Sequence, residues 1–191
     1  MTPELIVMGT SLGGLNALAA ILGDLPASTG VPIAVVQHRG VSPDSSLASL
    51  LARRSALRVV DAEDKMPLEA GTAYLAPPDY HLLIEARGAL ALSADPPVRS
   101  ARPSIDVLFE SAAQVYGRAV VGVVLTGASI DGTDGLREIS VRGGIAVVED
   151  PGTAECATMP ASALAANATA AVLPLPLIAA YLTALVAEVR V

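Results

Sequence analysis

Apolar positions along the chain switch repeatedly between two periods. "LIVMG" (5–9) is a short continuous apolar run, and "GGLNALAAILGDL" after it repeats at helical spacing, with Leu15, Leu18 and Leu22 on one face. "VPIAVVQH" predicts a second strand, apolar nearly throughout as strands covered on both faces are. After Pro43, "DSSLASLLARR" opens on an Asp/Ser cap and closes on Arg53 and Arg54, where cations suit the helix dipole. "ALRVV" predicts a third strand. From Asp61 to Pro97 the pattern changes to short strands around turn signals. There, "ARG" between "HLLIE" and "ALALS" predicts an antiparallel hairpin beside a parallel sheet.

"RPSIDVLFESAAQVYG" then predicts a helix capped at Ser104, with Ile105, Leu108 and Phe109 at helical spacing. "AVVGVVLTG" is the clearest buried strand, "DGLREISVRGG" a helix closed by glycines, "IAVVED" a further strand, and "LIAAYLTALVAEVR" a C-terminal helix. No internal repeat, linker or low-complexity segment interrupts this alternation. The expectation is one α/β domain over residues 1–191, with a doubly wound, mostly parallel sheet flanked by helices and a small antiparallel hairpin added.

Composition narrows the function classes. Hydrophobic residues make up 52% and charged residues 16%, which excludes disorder. The net charge of −7, with Lys65 the single lysine, repels nucleic acid and anionic membranes. One Phe and no Trp leave little for base stacking. Residues 157–187 carry no charge, but Pro160, Pro174 and Pro176 interrupt them. The unbroken part is shorter than the ~20 residues of a membrane span, so it reads as core. "MTPELIVMG" lacks the positive n-region of a secretory signal, and the one cysteine, Cys156, suits a reducing cytoplasm. Cys156 and Met159 read as core.

Three polar signatures fall at carboxyl ends of strands, where open parallel sheets collect ligands: "GTSLGG", "QH" and "TGASIDG". Gly9 and Gly14 fit a G-x-G-x-x-G dinucleotide turn, but Ser11 takes its middle glycine and Gln37-His38 stand where a ribose-binding acid belongs. A plain serine N-cap is a second reading of the turn. The third is G-x-S-x-G, the elbow that lifts a nucleophilic serine above a sheet. Such a serine needs a base, and the chain has two histidines. The order Ser…Asp…His would use His81 with Asp61, Asp64 or Asp79, all in the short-strand region. The order Ser11…His38…Asp131 places all three at ends of long apolar strands and is the better geometry, with Asp134 and Asp106 as alternative acids.

"IVMGTSLGG", "AVVQHRG", "YLAPPDYHLLI", "RPSIDVLFESAA", "VVLTGASIDGTDGL", "GGIAVVEDPGTA" and "TMPASAL" resemble, in this order and over nearly the whole chain, the catalytic domain of the chemotaxis receptor methylesterases. That resemblance implies a serine hydrolase that removes methyl groups from glutamyl esters of chemoreceptors and deamidates receptor glutamines. It implies Ser11 as nucleophile, His38 as general base and acid, and Asp131 as the orienting carboxylate, with no metal or cofactor. Oxyanion or substrate contacts are expected from Leu12, Gly13, Gly127, Ala128 and the His38 turn, and from Arg102. Arg99 and Arg102 lie in a stretch similar to one near the family's cleft and could attract acidic neighbours of a modified glutamate; ordinary surface arginines are the alternative.

The chain departs from the family at Leu12, Ala128 and Glu149, commonly Thr, Met and Gln. The family's receiver domain has no counterpart before the first strand, and both an excised domain and a stand-alone enzyme fit. The expected partner is the cytoplasmic part of a methylated chemoreceptor or another acidic protein, bound by a monomer in the cytoplasm without nucleic acid or membrane insertion. Two other classes fit the same residues: an esterase or amidase acting on a small molecule or another protein, and a non-catalytic signalling module on this fold.

Overall fold

The computed structural model describes residues 2–39 and 47–187. The elements run β1 (Leu5–Thr10), α1 (Gly14–Asp24), β2 (Ile33–Gln37), α2 (Leu47–Ala52), β3 (Arg58–Asp61), β4 (Thr72–Leu75), β5 (His81–Ala86) and β6 (Ala89–Ser93). They continue with α3 (Ile105–Tyr116), β7 (Val120–Val124), α4 (Thr133–Val141), β8 (Ile145–Glu149), α5 (Thr158–Ala166), β9 (Ala171–Leu173) and α6 (Leu175–Ala187). Seven strands form one sheet in the order β3-β4-β2-β1-β7-β8-β9, and every pairing within it is parallel. The strands β5 and β6 form a separate antiparallel pair.

The apolar runs are continuous because both faces of the sheet are covered. Along β1, Leu5 and Val7 enter one core with α3, α4, Met159 and Ala163 of α5, and hairpin residues Leu82, Ile84 and Leu90. Ile6 and Met8 enter the other core, against α1, α2 and α6. Chain order therefore reverses at β1, which pairs with β2 on one side and β7 on the other. A crevice at the carboxyl ends of these strands is the natural ligand position in such a sheet.

The structure changes several local expectations. The buried face of α1 is Ala17, Leu18, Ile21 and Leu22, whereas Leu15 is 40% exposed, because the true stripe lies one step round the helix. The stretch after Asp61 gives more than a hairpin: β4 sits between β3 and β2 in the main sheet. The Asp/Ser cap proposed before α2 lies outside the described residues. The uncharged stretch splits into α5, β9 and α6, and no helix among the described residues is long and apolar enough to cross a membrane. Pro160 falls in the first turn of α5, where its missing N–H deprives the helix of nothing.

Candidate active site

Ser11 follows β1 in a turn fixed from three sides. Its N–H donates to the Thr126 carbonyl (3.0 Å), and its carbonyl accepts from the Gly14 N–H (3.0 Å) and the Gln37 side-chain Nε2 (2.8 Å). Ser11 is not the N-cap of α1. Gly13 is, in the left-handed region (φ +81°) that glycine adopts without strain. The half-buried serine is thus left facing an open cleft of about 490 Å³, shared with Leu12, Asn16, Gln37, His38 and Glu155.

His38 follows β2. Its N–H is donated to the Thr10 carbonyl (2.9 Å), and its Nε2 lies 2.8 Å from Asp131 Oδ2. With Nε2–H donated to a carboxylate, Nδ1 carries the lone pair of the neutral ring. The Gln37 Nε2 also donates to the His38 carbonyl (2.9 Å), so one amide ties the backbone of Ser11 to that of His38. In the sequence Gln37 marks a polar strand end and the place where a ribose-binding acid is missing, with no sign of this bracing role.

Asp131, after β7, is fully buried and accepts from four groups. These are His38 Nε2, the Ser104 hydroxyl (2.9 Å), the Ile105 N–H (2.7 Å) and the Asp106 N–H (2.9 Å). Burial alone would push its pKa up, but the bond to His38 and those from Asp106, Ile105 and Ser104 outweigh it and hold it below the ordinary carboxylate range. Ser104 is the N-cap residue of α3 as expected, yet its hydroxyl serves Asp131 and not its own helix. The alternative acids are accounted for as well. Asp106 accepts from Gly132 and Gly135 N–H, and Asp134 pairs with Arg99.

His81 does not assemble the other order. Its Nδ1 accepts from the Ser104 N–H (3.1 Å), and its Nε2 faces the Pro96 carbonyl (3.2 Å), so both ring nitrogens brace backbone. Asp61, Asp64 and Asp79 instead engage Arg39, the Leu92 N–H and Arg102.

Gly127 corrects one expected oxyanion contact, because its N–H is already donated to the Cys156 carbonyl (3.1 Å). The His38 N–H is likewise committed to Thr10. What Gly127 provides is space: a Cβ there would lie 2.0 Å from Met159 Sδ and 2.9 Å from Ser11 Cβ. The N–H groups of Leu12, Gly13 and Ala128 have no partner among the described residues. Leu12 is 59% exposed, with its carbonyl held by the Thr126 hydroxyl (2.9 Å). Buried Glu149 accepts from the Thr126 N–H (2.7 Å) and so braces the turn before Gly127; burial pushes its pKa up.

On the far side of His38 lies a second cleft, about 350 Å³, lined by Arg39, Ser100, Ala101, Arg102 and Pro103. Arg102 donates to Asp79 (2.6 Å) and to the carbonyls of Ala94 and Asp95 (2.9 and 3.1 Å). Arg99 pairs with Asp106 (3.3 Å) and Asp134.

A doubly wound parallel sheet with a serine elbow, a histidine and a buried acid at adjoining strand ends has the architecture of an α/β esterase. The family model described as CheB methylesterase matches residues 6–182, and the chain belongs to that family. A putative protein-glutamate methylesterase/protein-glutamine glutaminase of Leptospira interrogans is 46% identical over 179 residues, covering 94% of this chain and 93% of the relative. A protein-glutamate methylesterase/protein-glutamine glutaminase of Rhodospirillum rubrum is 39% identical, but this chain spans 48% of its length. The crystal structure of the Thermotoga maritima CheB methylesterase catalytic domain superposes with a TM-score of 0.91 at 34% identity. That match covers 97% of this chain and 100% of the other.

Proposed function

We propose that the chain hydrolyses γ-glutamyl methyl esters on chemotaxis receptors, and the corresponding glutamine amides, in the cytoplasm. The observation that carries this reading is that Ser11 and His38 line one cleft, with His38 bonded to a buried, ionised Asp131, in a chain of the CheB methylesterase family.

In this reading Nδ1 of His38 removes the Ser11 hydroxyl proton as Oγ attacks the ester carbonyl carbon. Asp131 holds Nε2–H and stabilises the imidazolium that forms. The tetrahedral oxyanion is met by the unpartnered N–H groups at Leu12, Gly13 and Ala128. Collapse breaks the C–O bond, and His38 gives its proton to the departing methanol. A water, deprotonated by the same nitrogen, then attacks the acyl-serine, releasing glutamate and restoring the serine. Arg102, at the lip of the second cleft, attracts acidic side chains that flank the modified glutamate.

The test is methanol release from a methylated chemoreceptor cytoplasmic fragment, comparing the wild-type chain with Ser11→Ala. Release that depends on Ser11 is expected. No release from a folded wild type, with Ser11-dependent turnover of p-nitrophenyl acetate, would redirect the assignment to small esters.

A further inference from the structure

We infer that Asp106 is a positioning residue for Asp131, through an exchange of helix caps between α3 and α4. This rests on the reading of Ser11, His38 and Asp131 as the acting group.

Each helix has its N-terminal amides satisfied by an acid from the other. Asp131 immediately precedes Gly132, the N-cap of α4, and its carboxylate accepts from the Ile105 and Asp106 N–H groups at the start of α3. Asp106, in the first turn of α3, accepts on Oδ1 from the N–H groups of Gly132 (2.9 Å) and Gly135 (2.8 Å) at the start of α4. The first amides of a helix have no partner within it, and the dipole favours an anion there. Two such ends converge here, and each supplies the anion the other needs.

The exchange requires the helices to meet closely. A Cβ on Gly135 would lie 2.5 Å from Phe109 Cβ and 3.0 Å from the Asp106 carbonyl, so glycine sets the approach. Gly132, at φ +94°, turns the chain so that Asp131 points at α3 while the next amides point at Asp106. Asp106 is 3% exposed, and its second oxygen faces Arg99 Nε (3.3 Å).

The consequence concerns His38. Asp131 Oδ2 is shared between His38 Nε2 and the Ile105 N–H, so its direction depends on where the start of α3 lies relative to the 131–135 turn. Among the described residues, the two bonds on Asp106 Oδ1 are the side-chain bonds that pin that turn's own amides to α3. Removing them frees the turn to shift while leaving every atom of Ser11, His38 and Asp131 in the chain. Reacting groups displaced by about 1 Å lose on the order of 10²-fold in rate.

The experiment compares Asp106→Ala with Asp106→Asn, which keeps an oxygen able to accept from Gly132 and Gly135. The primary readout is the proton resonance of His38 Nε2–H, whose downfield position reports the bond to Asp131; with two histidines in the chain it is assigned by comparison with His38→Gln. The second readout is kcat and KM for methanol release, expressed per site titrated with a fluorophosphonate.

Asp106→Ala is expected to lose or shift the resonance and to lower kcat per site by about tenfold to a hundredfold with little change in KM. Asp106→Asn is expected to restore both. If Asp106→Ala does not fold, Asp106→Ser, which cannot span to both amides, takes its place. A resonance at its wild-type position in the truncated variant, with unchanged kcat per site, overturns the inference and leaves Asp106 a stabilising cap only. Absence of Ser11-dependent turnover in the wild type overturns the functional reading instead, while the resonance still decides the positioning role.

Discussion

Gly127→Ala places a single methyl group where the structure has no room. The new Cβ would lie 2.0 Å from Met159 Sδ, 3.0 Å from Met159 Cγ and 2.9 Å from Ser11 Cβ. Carbon contacts settle near 3.5–4.0 Å, so the thioether must withdraw by about 1.5 Å and Ser11 Cβ by roughly half an ångström or more. Met159 is buried but unbranched and can adapt. Crowding of this kind costs about 1–3 kcal/mol, or about 2–4 °C in Tm for each kcal/mol in a chain of this size. Ser11 has less freedom, since its N–H and carbonyl are both bonded on either side of the side chain. A displacement near half an ångström there should lower kcat by about tenfold or more.

The assays are thermal melting by circular dichroism and kcat for methanol release, with Met159→Ala and the double variant completing a cycle. The methyl at 127 refills part of the space that Met159 vacates, so the two stability losses should sum to less than additive. The kcat loss should persist, because the contact with Ser11 is untouched by the change at 159. Full activity in Gly127→Ala, or recovery of kcat in the double variant, would refute the account of Gly127 as the residue that clears space for the serine.

Three further outcomes follow from the site. Asp131→Asn should lower kcat by on the order of 10⁴, because an amide nitrogen would face the donors of His38 and Ile105 and disfavour the productive ring tautomer; the pre-steady-state acylation rate checks it. Burial pushes Asp106 up from 3.8 to about 6 against the bond from Gly135, so the native state holds this proton more tightly than the unfolded chain. This carboxyl's contribution to stability should therefore fall by about 2 kcal/mol as pH rises from 4.5 to 7, a window in which Asp131, lowered in the native state and ordinary in the unfolded chain, is mostly ionised in both. Urea midpoints at pH 4.5 and 7 should show this slope in the wild type and a flatter one in Asp106→Asn. Arg102→Gln should reduce kcat/KM on an acidic protein substrate, most at low salt, and leave hydrolysis of neutral p-nitrophenyl acetate unchanged.

Most of the frame is legible in the amino-acid sequence. Continuous apolar runs at 5–9, 33–36 and 120–124 report strands covered on both faces, and the intervening helical spacing makes their sheet parallel. Because chemistry in such sheets gathers at strand ends, the turns after these three runs are where Ser11, His38 and Asp131 are expected to act. These signals are local: a period, a glycine pair, a polar residue closing an apolar run.

What depends on distant pieces of chain is set only by their packing in three dimensions. The short run "TAYL" carries no mark of the sheet it joins, and its place between β3 and β2 follows from pairing alone. Asp131 is favoured by its place at a strand end, but Asp106 and Asp134 remain alternatives by pattern. Contact with His38 separates them: Asp131 alone accepts from its Nε2, while Asp106 is taken up by α4 amides and Arg99, and Asp134 by Arg99. Gln37 and Ser104 looked like a strand end and a helix cap, yet one ties Ser11 to His38 and the other holds Asp131. Gly127 is expected from the family resemblance as an oxyanion or substrate contact, yet its N–H is donated to the Cys156 carbonyl and is not free for an oxyanion. A hydrogen bond is fixed by distance and direction between groups many residues apart, and periodicity along one segment carries no information about either.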